Sequence, residues 1–173
     1  RARSSPMRWR EEPLSALQIK RTLFDCHNEA MNRFFHHYAR QHHDKGASKT
    51  FVAVDDDTIL GFYTLSPASL AYARTPKVLS KKLPTHDVPV FRLARIAVDK
   101  QYQGQGLGGQ LLMAAGRRCL GVAQQTGGVA LLIDAKSPEI SLWYQRFGAI
   151  PLQDNPLTLV LPLATIQKAL ERA

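Results

Sequence analysis

Three glycines stand close together in the run QGQGLG at residues 103–108. Apolar and β-branched residues dominate residues 90–98 before this run, which predicts a buried strand. Residues 109–126 after it carry apolar side chains at helical spacing. A strand, a glycine loop and a helix in this order expose backbone N–H groups to a phosphate, whose charge the helix dipole favours. The sequence therefore predicts an anion-binding loop.

The spacing of the glycines separates this loop from two well-known phosphate loops. A Walker A loop ends in Gly-Lys-Ser or Gly-Lys-Thr, and this run does not. The dinucleotide pattern Gly-x-Gly-x-x-Gly is met by Gly104, Gly106 and Gly109, but that pattern alone is a weak signal. The pattern Gln-x-x-Gly-x-Gly, met by Gln103, Gly106 and Gly108, fits the surroundings better.

Three linked segments carry a family resemblance. With residues 94–99 (ARIAVD) before it, the glycine run resembles the acetyl-CoA pyrophosphate loop of the GNAT acyltransferases. Residues 129–135 are similar to the next strand of that family, and residues 141–149 (SLWYQRFGA) to its C-terminal signature. One departure is Ser137, where many relatives carry an asparagine near the cofactor. The resemblance spans residues 50–163, in the same order as in the family.

The resemblance implies an α+β GNAT fold, with a mixed central sheet, splayed central strands and flanking helices. The order of the predicted elements agrees with an α+β fold and not with a doubly wound one. An amphipathic helix at residues 25–41 precedes a hairpin of strands at residues 51–54 and 59–65. A basic connection without clear periodicity follows at residues 74–89, and a strand at residues 157–163 closes the order.

Four further stretches narrow the resemblance within the family. Residues 50–54, 61–66 and 93–99, together with the helix region at residues 24–35, resemble the TacT- and AtaT-type toxins of toxin–antitoxin pairs. This resemblance implies acetylation of the α-amino group of aminoacyl-tRNA, with acetyl-CoA as co-substrate, and consequent inhibition of translation. It also implies a ribbon-helix-helix antitoxin as partner and a homodimer.

The same resemblance assigns the reacting and cofactor-binding residues. Tyr144 would lie next to the thioester sulfur and protonate the departing thiolate, since a phenol with a pKa of about 10 stays protonated at neutral pH. The residues alone would favour ordinary core aromatics at Trp143 and Tyr144, so the family signature carries this assignment. Cofactor contacts would come from the central strand and the glycine loop: Ile96, Ala97, Val98, Gln103, Gly104, Gln105, Gly106, Leu107, Gly108 and Gly109.

Positive charge is in excess along the chain. There are 23 Lys and Arg residues against 14 Asp and Glu, a net charge of +9. Such an excess favours a polyanionic partner, and RNA supplies one because CoA needs only a local patch. The alternative is that the domain is simply basic. The candidate tRNA-binding residues lie in the basic connection and on the central strand: Lys77, Lys81, Lys82, Arg92 and Arg95. Arg95 has the alternative of pairing with an internal carboxylate.

No residue stands out as a general base or as a metal ligand. Five histidines cluster at residues 27–43 without cysteines or carboxylates at ligand spacing, so we expect a solvated or RNA-facing helix end and no metal. An α-amino group has a pKa of about 8, and the ester link to tRNA lowers it further. A lysine side chain would require a base, so the missing base favours the α-amino substrate.

Length and composition suit one domain at residues 13–173, after a flexible segment or expression remnant at residues 1–12. We expect a cytoplasmic protein with reduced cysteines, because there is no apolar run of about eighteen residues and no signal-peptide pattern. Two other functions remain open. One is a GNAT that acetylates a small amine, an antibiotic or a protein amine, and the other is a basic RNA-binding module without catalysis.

Overall fold

The computed structural model describes residues 8–172 of the chain. These residues divide into two compact units, residues 8–64 with 95–112, and residues 65–94 with 113–172. That residues 13–173 form a single domain stays a prediction. None of the described helices is long and apolar enough to cross a membrane.

The described strands form one mixed sheet in the order β1-β2-β3-β4-β5-β7-β6. Their bounds are β1 Arg10–Pro13, β2 Lys49–Asp55, β3 Thr58–Leu70, β4 Val88–Val98, β5 Ala130–Asp134, β6 Ile150–Pro151 and β7 Thr158–Pro162. Strand β4 runs parallel to β5, whereas β7 is antiparallel to both β5 and β6. The ladder between β4 and β5 joins residues 91–93 to residues 131–133, so residues 94–98 of β4 extend beyond it.

Helices flank the sheet, as the α+β prediction requires, and the fold prediction is confirmed. Their bounds are α1 Glu29–Arg33, α2 Ala39–Lys45, α3 Lys77–Ser80, α4 Leu107–Thr126, α5 Pro138–Gln145 and α6 Leu163–Glu171. A π-helical turn, Phe34–Tyr38, joins α1 to α2. The side chain of Asn28 caps α1 by accepting from the Met31 N–H at 3.0 Å. Gly46, at φ 76°, ends α2 in the left-handed conformation.

The first unit is built around packed aromatic rings. Phe35 of the π-helical turn stacks on Phe62 of β3, with ring centroids 4.4 Å apart. Phe24 packs edge-on against both rings, at 4.9 Å from Phe35 and 5.4 Å from Phe62. All three side chains are buried. Aromatic packing of this kind fixes the helix region on the sheet more firmly than area burial alone.

Three elements correct the sequence predictions. The sheet begins at Arg10, inside the segment predicted to be flexible, while residues 1–7 of that segment lie outside the described residues. Strand β1 lacks the alternation of apolar and polar residues that would predict a strand. Antiparallel pairing with β2 holds it in the sheet. The basic connection contains the short helix α3, and helix α6, whose Leu163 and Ile166 are buried, follows the strand predicted to close the fold.

Candidate active site

The glycine loop leaves the end of β4 through a short 3₁₀ turn. Asp99 caps this turn, since its Oδ1 accepts from the Gln101 N–H at 3.0 Å. Gly104 and Gly106 then have φ values of 78° and 84°, in the left-handed region that favours glycine. A Cβ atom at either position would meet no protein atom within 4 Å. Glycine is therefore required at these positions by the positive φ and not by close packing. The outer side of the loop is free of protein atoms at both residues.

Helix α4 starts directly after the loop. Gln110 donates its N–H to the carbonyl of Gly106 at 3.2 Å, which closes the first turn. The N–H groups of Leu107, Gly108 and Gly109 have no acceptor within the helix, because the first turn of any α-helix leaves its donors free. Leu107 is buried and fixes the start of the helix. The loop and the helix start together form a site of backbone donors suited to an anion.

The predicted cofactor residues of β4 adjoin this loop in the first unit. Ala97 is buried, whereas Ile96 and Val98 are half-buried. A Cβ atom on Gly61 of β3 would lie 2.6 Å from the carbonyl oxygen of Ala97, so glycine permits a close approach of the two strands here. The first unit thus brings together all ten residues predicted to bind the cofactor.

Tyr144 lies on α5 in the second unit. Ser137 caps this helix by accepting from the Ile140 N–H at 3.2 Å. Tyr144 is 5% exposed, and burial raises the pKa of its phenol above the ordinary value. The hydroxyl therefore stays protonated at neutral pH. Trp143 packs against Tyr144 and Phe147, with centroids 5.0 and 4.8 Å away.

The chain matches the model of a known protein family. A model of the acetyltransferase (GNAT) domain matches residues 46–148. The chain belongs to the GNAT acetyltransferases. The predicted family and enzyme class are thereby confirmed.

Similar proteins include toxins. The probable toxin TacT of Sinorhizobium fredii is 31% identical over 166 residues, which cover 90% of this chain and 92% of that protein. A tRNA-acetylating toxin of Mycobacterium tuberculosis is 34% identical over 140 residues, which cover 81% of this chain and 84% of that protein. The solved structure of AtaT complexed with acetyl-methionyl-tRNAfMet has a TM-score of 0.86 and 26% identity, covering 94% of this chain and 99% of that one.

The predicted tRNA-binding lysines of this GNAT lie on the surface of the second unit. Lys77, Lys81 and Lys82 are all exposed. Lys77 begins α3, and the N–H of Lys81 donates to its carbonyl at 3.0 Å. Residues four apart on a helix face the same side. The chain therefore presents at least two of these cations together.

The two strand arginines of the GNAT have different environments. Arg92 forms an ion pair with Asp134, whose other carboxylate oxygen accepts from the Thr158 hydroxyl at 3.1 Å. Arg95 instead lies over the ring of Phe34, with its guanidinium carbon 3.6 Å from the centroid, and burial lowers its pKa. Within residues 8–172 Arg95 has no carboxylate partner, so the alternative of an internal ion pair is wrong for Arg95.

One histidine of the cluster, His43, does not lie at a solvated helix end as predicted. His43 is 5% exposed, and its Nδ1 accepts from the Thr50 N–H at 3.0 Å. Burial lowers the pKa of His43, which favours the neutral imidazole that this bond requires. His43 is a core residue and not part of a solvated helix end. In the described part of the chain, no three His, Cys, Asp or Glu residues lie close enough to hold a metal ion.

The glycine loop also has supports that residue spacing does not reveal. The N–H of Asp25 donates to Asp99 Oδ2 at 3.2 Å, and the N–H of Lys100 donates to the Asp25 carbonyl at 2.8 Å. The available signal in the sequence is the resemblance of residues 24–35 to the toxins. It indicates a related helix region and says nothing of contacts to the loop.

Proposed function

We propose that this GNAT acetylates the α-amino group of aminoacyl-tRNA and acts as a toxin that inhibits translation. The observation that carries the proposal is the match over 94% of the chain to AtaT complexed with acetyl-methionyl-tRNAfMet, at a TM-score of 0.86. The tRNA-acetylating toxin of M. tuberculosis, at 34% identity, supports the same substrate. The net charge of +9 suits a nucleic-acid partner.

Acetyl-CoA is the co-substrate of this GNAT, as it is bound in the similar solved structure of AtaTR, at 27% identity. In our proposal the pyrophosphate lies against the glycine loop, where Gly104 and Gly106 leave the outside open and α4 supplies free N–H donors. The half-buried Ile96 and Val98 offer backbone groups to the pantetheine arm, because residues 94–98 extend beyond the ladder with β5.

The proposed reaction uses one side chain, Tyr144, as a proton donor. The neutral α-amino nitrogen attacks the thioester carbonyl carbon, the new C–N bond forms and the C–S bond breaks. Tyr144 gives its hydroxyl proton to the departing sulfur, and water takes the proton that the amine loses. The phenol then regains a proton from solvent. The raised pKa of Tyr144 keeps the donor protonated at neutral pH.

The tRNA would bind at Lys77, Lys81, Lys82, Arg92 and Arg95. Arg95 fits this role best among the strand residues, since it stacks on Phe34 and retains its charge without a carboxylate. Arg92 would have to give up or share Asp134. The exposed lysines of the α3 region need no rearrangement.

Changing both Lys81 and Lys82 to Glu should weaken tRNA binding and leave acetyl-CoA binding intact. Each cation that contacts a phosphate releases counterions, so the negative slope of log K against log salt should become shallower by about 1.5. Filter binding of charged tRNA at several salt concentrations measures this slope. Lys20→Glu with Lys45→Glu, two exposed lysines of the first unit, makes the same charge change as a control. Equal losses in both double variants would refute the local assignment.

Partners form the remaining part of the proposal. We propose a homodimer that works in the cytoplasm, where charged tRNA is found, and a ribbon-helix-helix antitoxin that neutralises it. The similarity to the probable toxin TacT of S. fredii supports a neutralising partner. An acidic disordered tail on the antitoxin would complement the net charge of +9 and associate quickly by electrostatic steering.

Labelled acetyl-CoA mixed with total charged tRNA tests the function directly. The expected result is label on aminoacyl-adenosine after nuclease digestion, in a subset of amino acids. A parallel reaction with deacylated tRNA should give no labelled adenosine. Label on small amines or protein amines alone would identify a different GNAT substrate, and tRNA binding without any transfer would identify a binding module.

A further inference from the structure

The side chain of Gln103 uses both of its amide hydrogens on backbone carbonyls. Its Nε2 lies 2.9 Å from the carbonyl oxygen of Val98 and 3.3 Å from that of Cys26. A primary amide nitrogen carries two N–H groups, so each carbonyl receives one. The side chain of Gln103, the first residue of the glycine run, therefore points back to the protein.

The two carbonyls belong to different segments of the first unit. Val98 ends β4, and Cys26 precedes α1. The same two segments are joined at Asp25, which receives the Lys100 N–H at its carbonyl (2.8 Å) and the Lys100 ammonium at its carboxylate (3.3 Å). Gln103 thus completes a set of bonds that ties the start of the loop to residues 25–26.

Residues 25–26 are themselves firmly held. Asn32 accepts from the Cys26 N–H at 3.0 Å and donates to the Asp25 carboxylate at 2.9 Å. Hydrogen bonds from the His27 backbone and the Asn32 side chain lower the pKa of Asp25 to about 2, so this carboxylate is ionised at physiological pH. The Cys26 carbonyl is therefore a fixed acceptor for Gln103.

Beyond Gln103 the loop residues 104–106 are exposed. A Cβ atom at Gly104 or Gly106 would meet no atom within 4 Å, and both residues have positive φ. The next anchors are the Gly106 carbonyl, which accepts from the Gln110 N–H, and buried Leu107. Residues 104–106 thus lie between Gln103 and the start of α4, which are both held by the protein. Their glycines allow other conformations if the bonds of Gln103 are lost.

We propose that Gln103 is a positioning residue, whose side-chain amide holds the glycine loop in the conformation that binds the acetyl-CoA pyrophosphate. This inference rests on the proposed use of the loop for acetyl-CoA. A loop that is already ordered binds without the entropy cost of ordering, so loss of the tether appears as weaker cofactor affinity. The reacting atoms are not touched by Gln103, so the rate at saturating acetyl-CoA should persist.

Two variants of the full chain test the amide N–H donors of Gln103 separately from the size of its side chain. Gln103→Met keeps a similar length and removes both donors, and Gln103→Glu places acceptor oxygens against the two carbonyls. We expect Gln103→Met to raise the Kd and KM for acetyl-CoA about tenfold, the loss of two partly exposed hydrogen bonds, and Gln103→Glu to raise them more. The kcat at saturating acetyl-CoA should stay within about twofold.

The matched control is Gln101→Met, the same substitution two positions earlier at an exposed side chain that makes none of these bonds. Hydrogen exchange should also become faster at residues 103–107 and 25–28 in Gln103→Met and not in the control. A lower kcat with an unchanged KM would overturn the positioning role, and so would equal effects of Gln101→Met and Gln103→Met.

Gly106→Val distinguishes this inference from the function on which it rests. Loss of acetyl-CoA binding in Gly106→Val with unchanged binding in Gln103→Met would overturn the role of Gln103 alone. Unchanged binding in both variants would show that the loop does not bind acetyl-CoA, and the proposed cofactor site would fall with it.

Discussion

Tyr144→Phe is expected to reduce acetyl transfer to charged tRNA by on the order of a hundred- to ten-thousand-fold. The substitution removes only the hydroxyl, and the ring stays packed beside Trp143. Loss of a positioned proton donor should lower kcat while the binding of acetyl-CoA and tRNA persists. Single-turnover rates with labelled acetyl-CoA, together with calorimetric Kd values, measure the two effects separately.

Tyr38→Phe is the matched control, because it removes a phenol that is 49% exposed in the π-helical turn. Its rate should equal that of the parent. If Tyr144→Phe acetylates charged tRNA within a few-fold of the parent, the hydroxyl has no part in the mechanism. Orientation of the two substrates would then have to account for the rate.

Gly106→Val should weaken acetyl-CoA binding by on the order of a hundredfold. At φ 84° a β-branched residue is strained by about 1–3 kcal/mol, so the loop is expected to change its conformation. Any valine side chain that keeps the native backbone would occupy the open outer side of the loop, where the pyrophosphate is proposed to lie. Isothermal calorimetry with acetyl-CoA measures the loss.

A second glycine provides the control for this change. Gly121 lies within helix α4, and a Cβ there meets no atom within 4 Å. Gly121→Val should keep the parent affinity and a similar melting temperature. Parent-like affinity in Gly106→Val would place the phosphate site elsewhere.

The glycine loop was predictable because its signal is local. A strand pattern, three glycines and a helix pattern lie within a short stretch of sequence. Gly104 and Gly106 adopt positive φ, which explains why glycine stands at these positions. Strand β1 lacked such a signal. Its four residues, REEP, become ordered through pairing with β2, and no short-range pattern records that partner.

The two strand arginines show a second limit of sequence reasoning. Arg92 and Arg95 stand three residues apart on β4 with similar neighbours in the chain. Arg92 meets Asp134, and Arg95 meets the ring of Phe34. Each partner is distant in sequence, so its identity depends on the register of the fold. His43 is similar, since its buried bond to the Thr50 N–H depends on how α2 ends against β2.

The hydrogen-bond donors of the glycine loop are backbone N–H groups and not ionisable side chains. A peptide N–H does not titrate between about pH 4 and pH 10, unlike a histidine or an amine. The nearby carboxylate of Asp25, with its pKa lowered to about 2, also keeps one charge state. If the loop binds the pyrophosphate as proposed, its donors and Asp25 keep one charge state as the pH falls, and protonation of the substrate amine is the expected cause of slower transfer in acid.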